Sequence, residues 1–175
     1  MESLSLEATY LKENIEQGMQ MVAINSYPPI SESKKVQNIG VQPHSDHSII
    51  TILLQSSSGL QVKEKTKKKW ISVPELKGSL VVLVGDRLEV LSNGKYKSVL
   101  HRVIQTSCDE TRLSIASFLS LGMDEVVVPA IKLVDEDHWQ KYHASNLRDF
   151  LKHLVSGESK PFIETLKITC ATIEE

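Results

Sequence analysis

Between residues 21 and 119 the sequence consists of short apolar runs separated by turn-forming residues, with no helical period between the runs. Runs of this length rich in Val, Ile and Leu predict β-strands, and the Gly, Pro, Asn and Ser clusters between them predict turns. Many short strands without intervening helices indicate an antiparallel sandwich or barrel, since parallel strands require longer crossovers. The predicted strands are residues 21–24, 49–55, 60–62, 70–73, 80–84, 89–91, 101–105 and 113–119.

Helical patterns flank this β-rich stretch. Apolar residues recur at roughly helical intervals from Leu4 to Gln20, which predicts an N-terminal helix. After Pro129 a second helical region follows, with one helix predicted over residues 135–142 and another capped by Asn146 and ending near residue 155. We therefore divide the chain into an N-terminal helix (1–20), a β core (21–128) and a C-terminal helical extension (129–175).

Size, charge and cysteine content limit the classes of protein and partner. A chain of 175 residues with 41% hydrophobic residues predicts one globular domain, and a net charge of −2 gives no electrostatic reason to expect nucleic acid or a membrane as partner. The lysine cluster of residues 63–69 is then most simply a solvated hairpin tip. Cys108 and Cys170 have no metal or redox spacing, which predicts reduced thiols in a cytoplasmic protein.

Two short histidine elements predict a metal site. In an extended backbone His44 and Asp46 project to the same side, so both side chains can reach one ion. His101 begins a later predicted strand and supplies a third ligand. Two histidines and one carboxylate form the facial triad of non-haem Fe(II) oxygenases. On these ligands alone, a tetrahedral zinc site with one open position remains the alternative.

Arg112 suggests a co-substrate beside this metal. Strand alternation places Arg112, Ser114, Ala116 and Phe118 on one face. An arginine that faces into a barrel is costly unless it is paired, and a dicarboxylate would supply that pair through a bidentate contact with Arg112 and a hydroxyl contact with Ser114. The alternative is a strand-edge arginine paired with a surface acid.

Taken together, these elements resemble the plant 2-oxoglutarate/Fe(II)-dependent dioxygenases of specialised and hormone metabolism. The matching stretches are residues 25–29 (NSYPP), 43–48 (PHSDHS), 51–55 (TILLQ), 59–62 (GLQV), 85–86 (GD), 91–99 (LSNGKYKSV), 101–103 (HRV) and 112–114 (RLS). Residues 142–168 also resemble the C-terminal helices of the family. The resemblance implies a mainly β fold, a double-stranded β-helix (jelly-roll, cupin-like) core with flanking N- and C-terminal helices.

The resemblance also implies the roles of individual residues. Iron would bind His44, Asp46 and His101, and 2-oxoglutarate would bind Arg112 and Ser114 with Tyr27 and Asn25 beside it. Phe118 matches a position that often lines the substrate pocket, although a core phenylalanine is an equal alternative. With Fe(II), 2-oxoglutarate and O₂, and with ascorbate as an optional addition, the implied reaction is hydroxylation, demethylation or desaturation of a small metabolite, with release of succinate and CO₂.

Family members carry a further N-terminal region, which this sequence does not contain. We therefore expect an exposed sheet edge through which the chain can associate. The alternative function is a truncated, non-catalytic remnant that binds metal or a protein partner. Otherwise the expected partner is a small-molecule substrate, with no nucleic acid and no membrane.

Overall fold

The computed structural model describes residues 1–29, 38–105 and 109–169. Two four-stranded antiparallel sheets face each other, in the orders β1-β8-β3-β6 and β2-β7-β4-β5. This arrangement confirms the predicted mainly β jelly-roll core. The strands are β1 (Met19–Tyr27), β2 (Asn38–His44), β3 (Ile50–Gln55), β4 (Leu60–Lys63), β5 (Trp70–Ser72), β6 (Val81–Val84), β7 (His101–Gln105) and β8 (Arg112–Ser120).

In the described part of the chain, four short helices and two 3₁₀ turns accompany the sheets. The helices are α1 (Lys12–Glu16), α2 (Asp86–Leu91), α3 (Leu147–Ser156) and α4 (Phe162–Thr165), and the 3₁₀ turns span Glu2–Leu4 and Ile131–Leu133. In the described ranges, no helix is both long enough and apolar enough to cross a bilayer. Cys108 and Cys170 lie outside the described residues.

Strand β8 shows the predicted alternation. Arg112, Ser114 and Ala116 are buried, whereas Leu113 and Ile115 are exposed on the opposite face. A buried apolar cluster fills the space between the sheets beside this inner face and includes Tyr27, Leu53, Leu60, Val103 and Ala116. These apolar residues also border a cavity in the barrel interior, which they share with polar side chains.

Two features of the β core differ from prediction. Strand β2 was missed because it contains Gly40 and Pro43, and register shifts on either side of Val41 interrupt its pairing with β7. The prediction of a strand at 89–91 was wrong, since these residues form the end of helix α2. Gly85 is extended at the start of that helix, and an apolar pair such as Val90-Leu91 fits a buried helix as well as a strand.

The prediction of one helix from Leu4 to Gln20 was also wrong. Only Lys12–Glu16 is α-helical, and β1 begins at Met19, where it pairs with Ser120. A Cβ at Gly18 would lie 2.6 Å from the Ser120 carbonyl oxygen. The sheet therefore approaches this glycine too closely for a larger residue, and strand pairing overrides the helical pattern.

Of the two predicted C-terminal helices, one forms and one does not. The helix at 135–142 is absent, because the Asp135 carboxylate accepts hydrogen bonds from the backbone N–H groups of Asp137 and His138 in a local turn. Helix α3 follows Asn146 as predicted, with a reciprocal capping box between Asn146 and Asp149.

The lysine cluster lies at the predicted hairpin tip, between β4 and β5.

Candidate metal and co-substrate site

The cross-strand pairing of β2 and β7 brings the two predicted histidine ligands together. His44 ends β2 opposite His101, which begins β7, and their ring centroids lie 4.3 Å apart. Asp46 Oδ1 lies 3.6 Å from His44 Nε2 and 3.5 Å from His101 Nε2. The three ligand atoms lie within 4.8 Å of one another, as the spacing predicted and as one shared ion requires.

Backbone carbonyls fix which nitrogen of each histidine is available. Nδ1 of His44 lies 2.8 Å from the Gln42 carbonyl oxygen, and Nδ1 of His101 lies 3.0 Å from that of Val99. A carbonyl only accepts, so Nδ1 of each ring donates and Nε2 keeps its lone pair in the neutral imidazole. This is the hydrogen-bonding arrangement that orients histidine ligands around metals.

The electrostatics of the cluster fit a divalent cation. Asp46 Oδ2 is buried without a hydrogen-bond partner among the described residues. Burial lowers the pKa of His101, an effect that the Asp46 carboxylate opposes and His44 reinforces. A buried carboxylate beside two imidazoles is therefore left uncompensated by protein donors, and a bound metal ion would supply the missing positive charge.

The start of helix α2 holds the loop that carries Asp46. The Asp86 N–H donates to the Asp46 carbonyl at 2.7 Å, and the Arg87 N–H donates to the Ser48 carbonyl at 3.3 Å. The Ser45 hydroxyl donates to the Asp86 carboxylate at 3.1 Å. Burial raises the pKa of Asp86 to about 7. Asp86, which belongs to the Gly-Asp pair of the family resemblance, and Arg87 therefore position residues 45–48, the loop that carries the ligand Asp46.

At the other end of the cavity, Arg112 is buried without an acidic partner in the described chain. It is 1% exposed, so the strand-edge alternative is wrong. Its Nη2 donates to Gln55 Oε1 at 2.9 Å and its Nε to the Ser57 carbonyl at 3.2 Å, while Nη1 has no partner. Burial lowers the pKa of Arg112. Tyr27 opposes that shift, and its ring centroid lies 5.0 Å from Arg112 Cζ. An arginine stays charged here, so this cation has no counter-ion within residues 1–29, 38–105 and 109–169.

Two glycines give Arg112 and Tyr27 their positions. A Cβ at Gly40 would lie 2.7 Å from the Tyr27 ring, so that ring rests directly on the backbone of β2. Gly59 has φ +148°, and a Cβ there would lie 2.9 Å from Arg112 Nε. Larger residues at either position would displace the two side chains that end the cavity.

All eight site residues predicted from the sequence border one cavity of about 150 Å³. It extends from the His-Asp-His cluster to Arg112, with Asn25 and Ser114 on a shared cross-strand pair of β1 and β8. The eight residues are Asn25, Tyr27, His44, Asp46, His101, Arg112, Ser114 and Phe118. Their location is observed, whereas their ligand-binding roles remain predictions.

Sequence reasoning missed Gln55 and Gly40. Gln55 belongs to a stretch quoted for the resemblance, but only the fold shows that its amide orients Arg112. No pattern in the sequence pairs Gly40 with Tyr27, because β2 itself was not predicted.

We expect Gln55→Glu to raise the melting temperature of the free chain and weaken 2-oxoglutarate binding by about tenfold or more. The new carboxylate would neutralise buried Arg112, so it would stabilise the free chain and compete with an incoming carboxylate. Calorimetric titration and thermal melting measure the two effects. Gln61→Glu is the matched control. Gln61 Oε1 accepts a hydrogen bond from Arg102 Nε at 2.9 Å, and Gln61 does not line the cavity. A lower melting temperature together with weaker 2-oxoglutarate binding in Gln55→Glu would contradict the pairing of the new carboxylate with Arg112.

Comparison with known proteins agrees with this geometry. Residues 18–121 match the model of the 2OG-Fe(II) oxygenase superfamily. Two proteins of Oryza sativa subsp. japonica are similar: 2-oxoglutarate-dependent dioxygenase 21, chloroplastic (47% identity over 96% of this chain and 50% of the relative) and flavanone 3-dioxygenase 3 (39% identity over 96% and 52%). The chain thus spans about half the length of these relatives.

Solved structures give the same result. The crystal structure of JOX2 in complex with 2OG, Fe and JA aligns with a TM-score of 0.83 and 28% identity over 96% of this chain and 50% of that chain. The structure of the rice dioxygenase for auxin oxidation aligns with a TM-score of 0.81 and 30% identity over 95% and 56%. The family match covers more than half of the chain, and the fold and residue cluster agree with it. The chain therefore belongs to the 2OG-Fe(II) oxygenase superfamily.

Proposed function

We propose that this chain carries the iron- and 2-oxoglutarate-binding core of an oxygenase that hydroxylates, demethylates or desaturates a small metabolite, with release of succinate and CO₂. The observation that carries the proposal is the convergence of two opposite features on one cavity. At one end lies a His-Asp-His cluster with a carboxylate oxygen that has no partner among the described residues, and at the other lies a buried arginine without a counter-ion among them. A dicarboxylate that chelates a metal would satisfy both ends.

The residues divide into metal ligands and co-substrate contacts. His44, Asp46 and His101 would hold Fe(II) through the two Nε2 atoms and the Asp46 carboxylate. Arg112 would pair with the distal carboxylate of 2-oxoglutarate, with Ser114, Tyr27 and Asn25 beside it. Bound iron, with 2-oxoglutarate and O₂, would supply oxidising chemistry that no side chain has, and ascorbate would serve as an additional reductant.

The protein's own contribution is orientation and charge. The Gln42 and Val99 carbonyls keep both imidazoles turned with Nε2 toward the shared point. The hydrogen bonds from Arg112 to Gln55 and Ser57 leave Nη1 available for the ligand. Asp46, His101 and Arg112 are buried between the sheets, which strengthens the charge interactions that they make.

The test is calorimetric titration of 2-oxoglutarate into the chain under anaerobic conditions with Fe(II), followed by an assay for succinate after O₂ and a candidate substrate have been added. Binding that requires both metal and Arg112 supports the proposal. Zinc bound in preference to iron, with no binding of 2-oxoglutarate, would favour the zinc alternative. Intact binding of both ligands without succinate would favour the non-catalytic remnant.

Arg112→Lys is expected to weaken 2-oxoglutarate binding by about 10- to 100-fold and leave Fe(II) affinity unchanged. Lysine retains the charge but loses the planar, two-pronged donor, and a hydrogen bond to a charged group contributes about 1.5–3 kcal/mol. Titration of each ligand separately measures the split. Arg102→Lys is the control, because Arg102 stacks over Trp70, with its Cζ 4.3 Å from the ring centroid, outside the cavity lining. Unchanged 2-oxoglutarate binding in Arg112→Lys would show that Arg112 is structural.

Wider properties of the protein are also proposals. We retain residues 21–128 as the oxygenase core and 129–175 as an extension, with a small-molecule substrate and no nucleic-acid or membrane partner. A cytoplasmic location stays a prediction, and one of the rice relatives is named chloroplastic. Fractionation of cells that express the protein tests the location.

A further inference from the structure

We infer that the substrate is an uncharged, largely apolar molecule whose body lies between Phe118 and one face of helix α3. The inference rests on the proposed function, since it concerns the cavity that opens beside the same His-Asp-His cluster. It adds the chemical class of the substrate and the residues that select it.

The paired inner faces of β1 and β8 change steadily in polarity along the barrel. The cross-strand pairs begin with polar Tyr27–Arg112 and Asn25–Ser114 and continue through the small pair Ala23–Ala116. The next pair on these inner faces is Met21–Phe118, which lies toward the end opposite Arg112. Along these two strands the polar groups lie mainly at the end that fits a dicarboxylate, and toward the other end the pairs are apolar except for Ser120, which lies opposite Met19.

A second cavity begins where the apolar pair lies. It has a volume of about 380 Å³ and shares His44, Asp46 and Phe118 with the smaller cavity. This volume is within the range of small-molecule sites. A ligand bound here would therefore lie next to the metal ligands without occupying the Arg112 end.

Helix α3 supplies the opposite wall. Leu147, Phe150, Leu151 and Leu154 recur at intervals of three and four residues and all line the cavity. Phe150 also stacks on His47, with ring centroids 4.4 Å apart and planes inclined by 2°. Because His47 directly follows Asp46, this stack ties the helix to the metal-binding loop.

The side chains that form this wall are apolar yet incompletely covered. Met21, Leu151 and Leu154 are all exposed in the free chain, although they border a concave site. Exposed apolar surface grouped beside a functional site is typical of ligand-binding grooves. An apolar ligand would cover these residues and gain the free energy of removing both surfaces from water.

The charge of the lining selects against anions. Among the described residues around this cavity there is no lysine and no arginine that could pair with an anion. The apolar lining residues cannot replace the water of a carboxylate, so an anionic substrate would lose hydration without gaining a counter-ion. The cavity therefore favours an uncharged substrate over a carboxylate of similar size.

The test compares flavanone, which is uncharged, with indole-3-acetate, a carboxylate auxin, by equilibrium dialysis against the chain with Fe(II) and 2-oxoglutarate under anaerobic conditions. We expect flavanone to bind at least about tenfold more tightly, a ratio within reach of an apolar pocket. Leu151→Lys should weaken flavanone binding by about tenfold or more and strengthen indole-3-acetate binding. Leu154→Lys, on the same helix face, should act in the same direction.

Val155→Lys is the matched control, because Val155 is 84% exposed and does not line the cavity. It should change neither affinity by more than about twofold. Equal or tighter binding of indole-3-acetate, flavanone binding that is insensitive to both leucine variants, or no binding of flavanone would overturn the inference. Dialysis repeated without iron and 2-oxoglutarate separates this result from failure of the proposed function. If the proposed function failed but the inference held, flavanone would still bind in this second dialysis, while titration of 2-oxoglutarate gave no heat.

Discussion

Replacing Asp46 by Asn is expected to abolish stabilisation of the chain by Fe(II) while changing the melting temperature of the metal-free chain little. Asp46 joins the two histidines, and asparagine removes the negative charge but retains the shape. Loss of an outer hydrogen-bond partner alone costs metal sites about 10–100-fold in affinity, so loss of a ligand should exceed that. In the metal-free chain Oδ2 already lacks a partner, so little native stabilisation is lost.

Thermal melting with and without Fe(II) under anaerobic conditions measures this effect. An ion present at about a hundred times its Kd stabilises the native state by about 2.7 kcal/mol, which corresponds to about 5–10 °C for a chain of this size. That increment should vanish in Asp46→Asn. Asp137→Asn is the control, because Asp137 is exposed and outside the cluster. An undiminished increment in Asp46→Asn would refute the assignment of Asp46 as a ligand.

Part of the site was predictable from local periodicity, whereas the meeting of His44 with His101 depends on the pairing of β2 with β7, and β2 was not predicted. Alternation along a strand is enough to place Arg112, Ser114 and Phe118 on one face, and the burial of β8 confirms it. The same holds for helix α3, whose first turn is determined by contacts between Asn146 and Asp149, three residues apart. Interactions between near neighbours in the chain are the ones that a single sequence expresses.

Features that depend on distant contacts were not predictable. The predicted N-terminal helix is cut short at Gly18 by the approach of Ser120, about a hundred residues away in sequence. Gly40 accommodates the Tyr27 ring across two sheets, and Gln55 orients Arg112 across a strand pair. Tertiary packing overrides local propensity at these positions, and the residues concerned support the site without belonging to its motif.

The outer face of the sheet that contains β1 is apolar and uncovered in the described chain. Ile24 faces Ile115 across β1 and β8, and Ile115 in turn faces Leu54 on β3. All three are exposed, as is Val82 on β6. Strand β1 is also an edge of its sheet. A continuous apolar face beside an open edge is a surface on which a further chain segment or another copy can associate.

Fusing the N-terminal region of a family member ahead of this core is therefore expected to raise both melting temperature and succinate formation. Fully burying one aliphatic side chain contributes about 1.5–3 kcal/mol, so covering several half-exposed ones should contribute several kcal/mol, or about 10 °C or more. Turnover should rise because the added region would also cover the exposed apolar residues Met21, Leu151 and Leu154, which border the larger cavity. Thermal melting and a substrate-coupled succinate assay on the chain with and without the fusion measure the two gains.

A single substitution shows whether the gain comes from covering this face. Ile24 is 76% exposed in the chain alone, so Ile24→Lys should alter its stability little, yet it should remove much of the gain on fusion because a charge would then be buried. Ile131, 82% exposed and outside the sheet, provides the control Ile131→Lys, which should be neutral in both proteins. The non-additive loss in Ile24→Lys alone would identify the covered face. Equal melting temperature and equal turnover with and without the fused region would instead mean that this chain is a complete minimal oxygenase.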